Sequence, residues 1–199
     1  MKFEWRKPDG TEVAISSPDE ISHVLNSLEA RHETAKSAGS KMEAAALEVQ
    51  YEEQYKQWLM CMAFYYQHER KEVGLLLNRS RQTFAWWDQW SAQYGNDGEV
   101  SELQQALLKG LPKDLWPRSW VEAAKIINRN PDLRPPSTDL NTAKQCLADV
   151  IANASSCLEL AEYLATKFYH GDRPEQNELN AYQAERARLA EVLANAAGL

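Results

Sequence analysis

The sequence predicts an all-α fold, a helical bundle preceded by a short N-terminal β-hairpin, and three patterns predict it. Leu47, Tyr51, Tyr55, Trp58, Met62 and Tyr65 recur at helical spacing. From Leu140 to Phe168 the apolar residues follow alternating steps of three and four, the seam of a coiled coil or bundle. Only the first 16 residues alternate polar and apolar in the manner of strands.

Lys2 to Arg6 and Thr11 to Ile15 flank Lys7-Pro8-Asp9-Gly10. Pro presets one turn dihedral and Gly accepts a positive one, so a hairpin is expected. An isolated hairpin is marginal in water, so Phe3, Trp5, Val13 and Ile15 must pack on the helices or on another subunit. Ser17-Pro18-Asp19-Glu20 reads as a helix start, with Ser17 as N-cap and Glu20 completing a capping box. That first helix is expected to reach about Lys36. Ala38-Gly39-Ser40 breaks it, and Ser40 with Glu43 opens the long helix that carries the aromatic stripe. Such a stripe is the buried face of a helix before it is a surface for stacking bases.

Lys71 to Trp90, KEVGLLLNRSRQTFAWWDQW, has the spacing of two short helices joined by a tight turn. Val73, Leu77, Phe84 and Trp87 would fill the space between them, and Gly74 would allow close approach. Asn78 sits where the chain would reverse, because Asn tolerates the left-handed conformation. Ser80 then reads as an N-cap, which places Arg81, Gln82 and Thr83 in the first turn of a second helix. This segment resembles the helix-turn-helix of bacterial and phage DNA-binding proteins, including resolvase-like and transposase-like domains, in which a Ser-Arg-Gln-Thr run opens the recognition helix. The likeness extends upstream to Gln57 to Gln67 as the first helix of a three-helix helix-turn-helix unit, and covers roughly 40 of 199 residues. It implies double-stranded DNA as partner, with Lys71, Arg79, Ser80, Arg81, Gln82 and Thr83 as the DNA-binding residues: Arg81, Gln82 and Thr83 facing base edges, Lys71 and Arg79 on phosphates, and Ser80 at the N-cap.

Tyr94-Gly95-Asn96-Asp97-Gly98 ends this region, so residues 1–95 form the first division. Residues 96–137 read as a connecting module, with helices Ser101 to Lys109 and Ser119 to Asn128, a corner at Trp116 and Trp120, and a loop from Asn128 to Pro136 carrying Arg129 and Arg134. Residues 138–199 read as an antiparallel helix pair. Its first seam is Leu140, Ala143, Leu147, Val150, Ala154, Cys157, Ala161, Leu164 and Phe168, widened by Ile151, Leu158 and Ala165. His170-Gly171 stops that helix, Asp172 with Glu175 would cap the next around Pro174, and Leu179, Tyr182, Leu189, Val192 and Leu193 give it an apolar face. Two helices alone cannot bury both faces, so the pair needs the rest of the chain or a second copy of itself.

With 199 residues and 44% hydrophobic content, the chain is long enough to bury a sizeable core. A net charge of -7 and a pI near 5.2 argue against a nonspecific nucleic-acid coat, since that affinity comes from neutralising phosphates. Arg70, Lys71, Arg79 and Arg81 outnumber Glu69, Glu72 and Asp88, so any DNA contact is local and a homo-oligomer is expected to multiply it. Cys61, Cys146 and Cys157 are an odd, widely spaced set, which predicts reduced core thiols in a cytoplasmic protein. His23, His32, His68 and His170 lack partners at metal-ligand spacing, so no metal is expected. No nucleophile with its base and no phosphate-binding glycine loop is visible, so neither catalysis nor a cofactor is expected. No apolar run reaches membrane-spanning length.

Two functional readings follow. One is a sequence-specific DNA-binding regulator or DNA-processing accessory subunit, with a phage packaging subunit of small-terminase type among its versions. The other is a non-catalytic, all-helical scaffold with a protein partner, in which Trp86, Trp87 and Trp90 serve packing or an interface; the acidic charge and the seven tryptophans favour it.

Overall fold

The computed structural model describes residues 2–94 and 140–197, and their side chains apart from those of residues 86, 89–94 and 197. Strands β1 (Phe3–Arg6) and β2 (Glu12–Ile15) are followed by helices α1 (Asp19–Ser37), α2 (Lys41–Tyr94), α3 (Leu140–Tyr169) and α4 (Gln176–Ala197). The described residues are thus mostly helical with one antiparallel hairpin. The expected boundary at residues 95–98, the connecting helices and the loop with Arg129 and Arg134 lie outside them.

The hairpin forms where its turn chemistry put it. The Gly10 amide donates to the Lys7 carbonyl at 2.9 Å, Gly10 takes a φ of 85°, and the Asp9 carboxylate accepts the Thr11 amide at 2.9 Å. Phe3 pairs with Ile15 and Trp5 with Val13, so the apolar side chains share one face. That face packs on the chain's own helices: Trp5 and Ile15 join Ile21, Leu25 and Cys61 in one core cluster, with Tyr51, Tyr55 and Trp58 against it.

At the start of α1 the Ser17 hydroxyl accepts the Asp19 amide at 3.2 Å and donates to the Asp19 carboxylate at 2.7 Å. The helix itself begins one residue later than expected, after Pro18. It ends in a Schellman motif: Gly39, at a φ of 73°, donates to Lys36, and Ser40 donates to Ala35, both at 3.0 Å. Leu28 and Ala35 of α1 then cluster with Ala44 and Leu47 of α2.

The turn expected at Asn78 to Ser80 does not form. α2 runs unbroken for 54 residues, and no non-glycine residue among those described has a positive φ, so Asn78 is helical. The physical reason is visible in the burial pattern. Leu59, Tyr66, Val73 and Ser80 are all buried, each seven residues after the last, with Met62 and Leu77 buried between them and Thr83 three residues beyond. The heptad phase crosses Asn78 without a shift. Asn and Ser in a helix interior each cost only about 0.5 kcal/mol relative to Ala, which a continuous seam outweighs. Val73 and Leu77, expected to plug a gap between two short helices, lie along this one seam.

The chain divides into two compact units, the first drawing on all four helices and the second on three. The first comprises Met1–Glu72 with Leu158–Ala184, the second Val73–Cys157 with Glu185–Leu199. In the first, Phe168 of α3 meets Trp58 edge-on at 5.5 Å and stacks on Tyr66 at 5.7 Å, and Tyr66 meets Tyr182 of α4 at 5.1 Å. The Tyr182 hydroxyl donates to Glu69 at 2.6 Å. In the second, Val150, Ala154 and Cys157 of α3 and Leu189 of α4 are buried, as are Val73, Leu77, Ser80 and Thr83 of α2. Seam residues Ala143, Val150, Ala154, Cys157, Ala161, Leu164 and Phe168 are all buried within a single chain, while Leu140 and Leu147 are half-buried.

The junction of α3 and α4 differs from the expected capping box. A second Schellman motif closes α3, with Gly171 at a φ of 84° donating to Phe168 and Asp172 donating to Lys167. Asp172 is therefore spent on ending α3, and α4 starts after Pro174. Its free amide at Glu175 is taken by the Glu178 carboxylate at 2.7 Å, three residues on.

Candidate nucleic-acid interface

All six residues that the resemblance assigned to DNA lie on α2, and the helix separates them. Ser80 and Thr83 are buried, and the Thr83 hydroxyl donates to the Arg79 carbonyl one turn back at 3.1 Å. On a continuous helix they fall on the seam, where the expectation was the start of a protruding second helix.

Lys71, Arg79, Arg81 and Gln82 are exposed. Lys71 lies in the first unit and the other three in the second, where at 100° per residue Arg79 and Arg81 diverge to opposite flanks of Gln82. Arg79, Arg81 and Gln82 thus point in different directions around the helix. Arg81 turns inward, its guanidinium donating to the Ser155 hydroxyl of α3 at 3.4 Å.

One acid and one base of α2 near the motif are engaged by α3. Lys144 pairs with Asp88 at 2.6 Å and lies 5.7 Å from the Phe84 ring centre, while Arg70 pairs with Glu162 at 3.3 Å. In each unit, later residues of α2 meet earlier residues of α3, so the two helices run antiparallel. The partners Lys144, Ser155 and Glu162 could not be found from the motif, because they come from residues at least 56 positions away. Their one sequence signal is that each flanks the α3 seam. Trp87 is half-buried; the side chains of Trp86 and Trp90 lie outside the described residues.

The aromatic stripe is used in packing. Tyr51 stacks on Tyr55 at 6.1 Å, Tyr55 on Trp58 at 5.7 Å, and the Arg173 guanidinium covers Trp58 at 5.6 Å. Among the described residues no group of His, Cys, Asp and Glu could hold a metal ion, and no helix is long and apolar enough to cross a membrane. Cys61 and Cys157 are buried and Cys146 half-buried, and none of the three is in a disulfide. Burial pushes the Cys61 thiol up to about 11, so it stays protonated and unreactive at neutral pH. Compared with protein-family models, with curated proteins and with solved structures, the chain matches none.

Proposed function

We propose that this chain is a non-catalytic, all-helical scaffold protein. One observation carries the reading: Ser80 and Thr83, on which a recognition helix would depend, are buried in the seam of an unbroken α2. Around them Arg81 and Asp88 engage α3, so the segment with the motif's spacing spends its polar groups within the chain. The net charge of -7 supports the same reading, because an acidic protein repels phosphates everywhere outside a local patch.

The second reading is duplex DNA binding, with the likeness to a bacterial or phage helix-turn-helix as its basis. The exposure of Lys71, Arg79, Arg81 and Gln82 favours it. On this reading the outer face of α2 lies along the phosphates, and an oligomer supplies the contacts one copy lacks.

Polarisation titrations against a random-sequence duplex pool at two salt concentrations separate the two. Phosphate neutralisation releases counterions, so a DNA binder loses at least about tenfold in affinity between roughly 50 and 200 mM salt. The scaffold reading expects no duplex binding at the lower salt. Salt-sensitive binding there, weakened by Arg79→Ala and Lys71→Ala, overturns it.

A further inference from the structure

We propose that a second copy of the chain covers the outer face of α2, packed antiparallel about a two-fold axis between Gln54 and Tyr55. The face is unusual in what it leaves in water. Met42 is 90% exposed, Val49 67%, Met60 63% and Phe64 42%. At 3.6 residues per turn these four fall within one narrow strip of the helix, with the exposed Ala45, Ala46 and Gln67 completing it. Large apolar side chains exposed along one helix face are the kind of surface that a partner covers. The strip lies on the part of α2 that precedes Glu72, opposite the residues that α1 covers.

What covers it is read from its two charges. Glu53 and Lys56 interrupt the strip at its centre, one turn apart and both exposed. Among the described residues neither has a hydrogen-bond or ion-pair partner, not even the other. Water serves both in a lone chain; a surface that covers the strip and shuts water out would have to offer a base to Glu53 and an acid to Lys56. A second copy turned end for end does so twice, because the dyad that sets Glu53 against Lys56 also sets Lys56 against Glu53. The same register brings Val49 against Met60, Ala45 against Phe64, and Met42 against Gln67. These are the layers an antiparallel helix pair forms, in which the two kinds of seam position face each other. A parallel pair would set Glu53 on Glu53 and Lys56 on Lys56, so charge selects the antiparallel arrangement.

The inference goes beyond the scaffold reading and does not depend on it, since duplex binding or its absence leaves the mass of the protein unchanged. The test is sedimentation and light scattering on the full chain, with circular dichroism to confirm folding of each variant. Wild type should have twice the mass of the 22.7 kDa chain. Glu53→Lys creates two Lys-Lys contacts and Lys56→Glu creates two Glu-Glu contacts, so each alone should weaken the dimer by about tenfold or more. Mixing the two variants restores both opposite-charge contacts, so a one-to-one heterodimer should form. The double variant Glu53→Lys with Lys56→Glu should again dimerise with itself. Three results overturn the proposal: a wild type that is monomeric at tens of micromolar, a dimer indifferent to both single reversals, or a mixture of the single variants that stays monomeric.

Discussion

The Trp5 indole N–H donates to the Gln54 side-chain carbonyl across 2.8 Å, with both residues buried and 49 positions apart. This bond fixes the hairpin on α2. Phe3 and Trp5 turn their backbone groups toward β2, which leaves those of Arg6 on the free edge of β1. There the Gln57 amide accepts from the Arg6 N–H at 2.8 Å and donates to the Arg6 carbonyl at 2.9 Å, while Gln54 donates to the same carbonyl at 3.1 Å. Two glutamines from consecutive turns of α2 thus do for β1 what a third strand would do.

Replacing Gln54 with Leu strands the Trp5 donor inside the core. An orphaned buried donor costs about 1 to 3 kcal/mol, so Gln54→Leu should destabilise the protein by that amount in chemical denaturation. Adding Trp5→Phe should then cost less in the Gln54→Leu background than in wild type, because the stranded donor goes with it. Additive effects would show that the bond does not hold the hairpin.

Glu178 accepts from the Lys167 ammonium at 2.7 and 2.8 Å, from the Tyr163 hydroxyl and from the Glu175 amide. Together, with Lys167 first, these hold its carboxyl down at about 2 against an ordinary value of 4.5. A depressed carboxylate stabilises the fold above its unfolded value and loses that contribution as pH falls toward the folded one. The advantage of wild type over Glu178→Gln should therefore be constant near neutrality and shrink between about pH 4.5 and 2. Denaturation midpoints of the two proteins across that range provide the check, and parallel curves would remove Glu178 from this role.

Asn78 decides between a continuous helix and a turn. It is exposed in the middle of α2, where Ala outranks Asn by about 0.5 kcal/mol and Gly falls below both. Asn78→Ala should raise the thermal midpoint and Asn78→Gly should lower it. A left-handed turn at this position would reverse both signs.

The α3 seam is core within one chain. Leu164 and Val150 are almost completely buried, so Leu164→Ala should cost about 2 to 5 kcal/mol in the cavity it leaves. Val150→Glu should lose helicity in circular dichroism, because it buries an unpaired charge. A folded Val150→Glu protein of lower mass would show instead that the seam joins separate chains.

The elements that were legible are those whose signal is local. Lys7-Pro8-Asp9-Gly10 specifies its turn through dihedrals of individual residues, and Gly39 and Gly171 mark helix ends because each stands at a left-handed position. The period of the α3 apolar residues predicted a buried face, and most of that face is buried. The tertiary structure decided the fate of Lys71 to Trp90. Val73, Leu77, Phe84 and Trp87 repeat at four, seven and three residues, a spacing that suits two short helices around a gap as well as one long helix along a seam. Local preference at Asn78 and Ser80 amounts to a fraction of a kcal/mol per residue, too little to choose. The choice falls to burial along the whole length of α2 and to side chains from α3, where Lys144 holds Asp88 and Ser155 takes Arg81. Those partners lie more than fifty residues away along the chain, and short-range spacing carries no information about them.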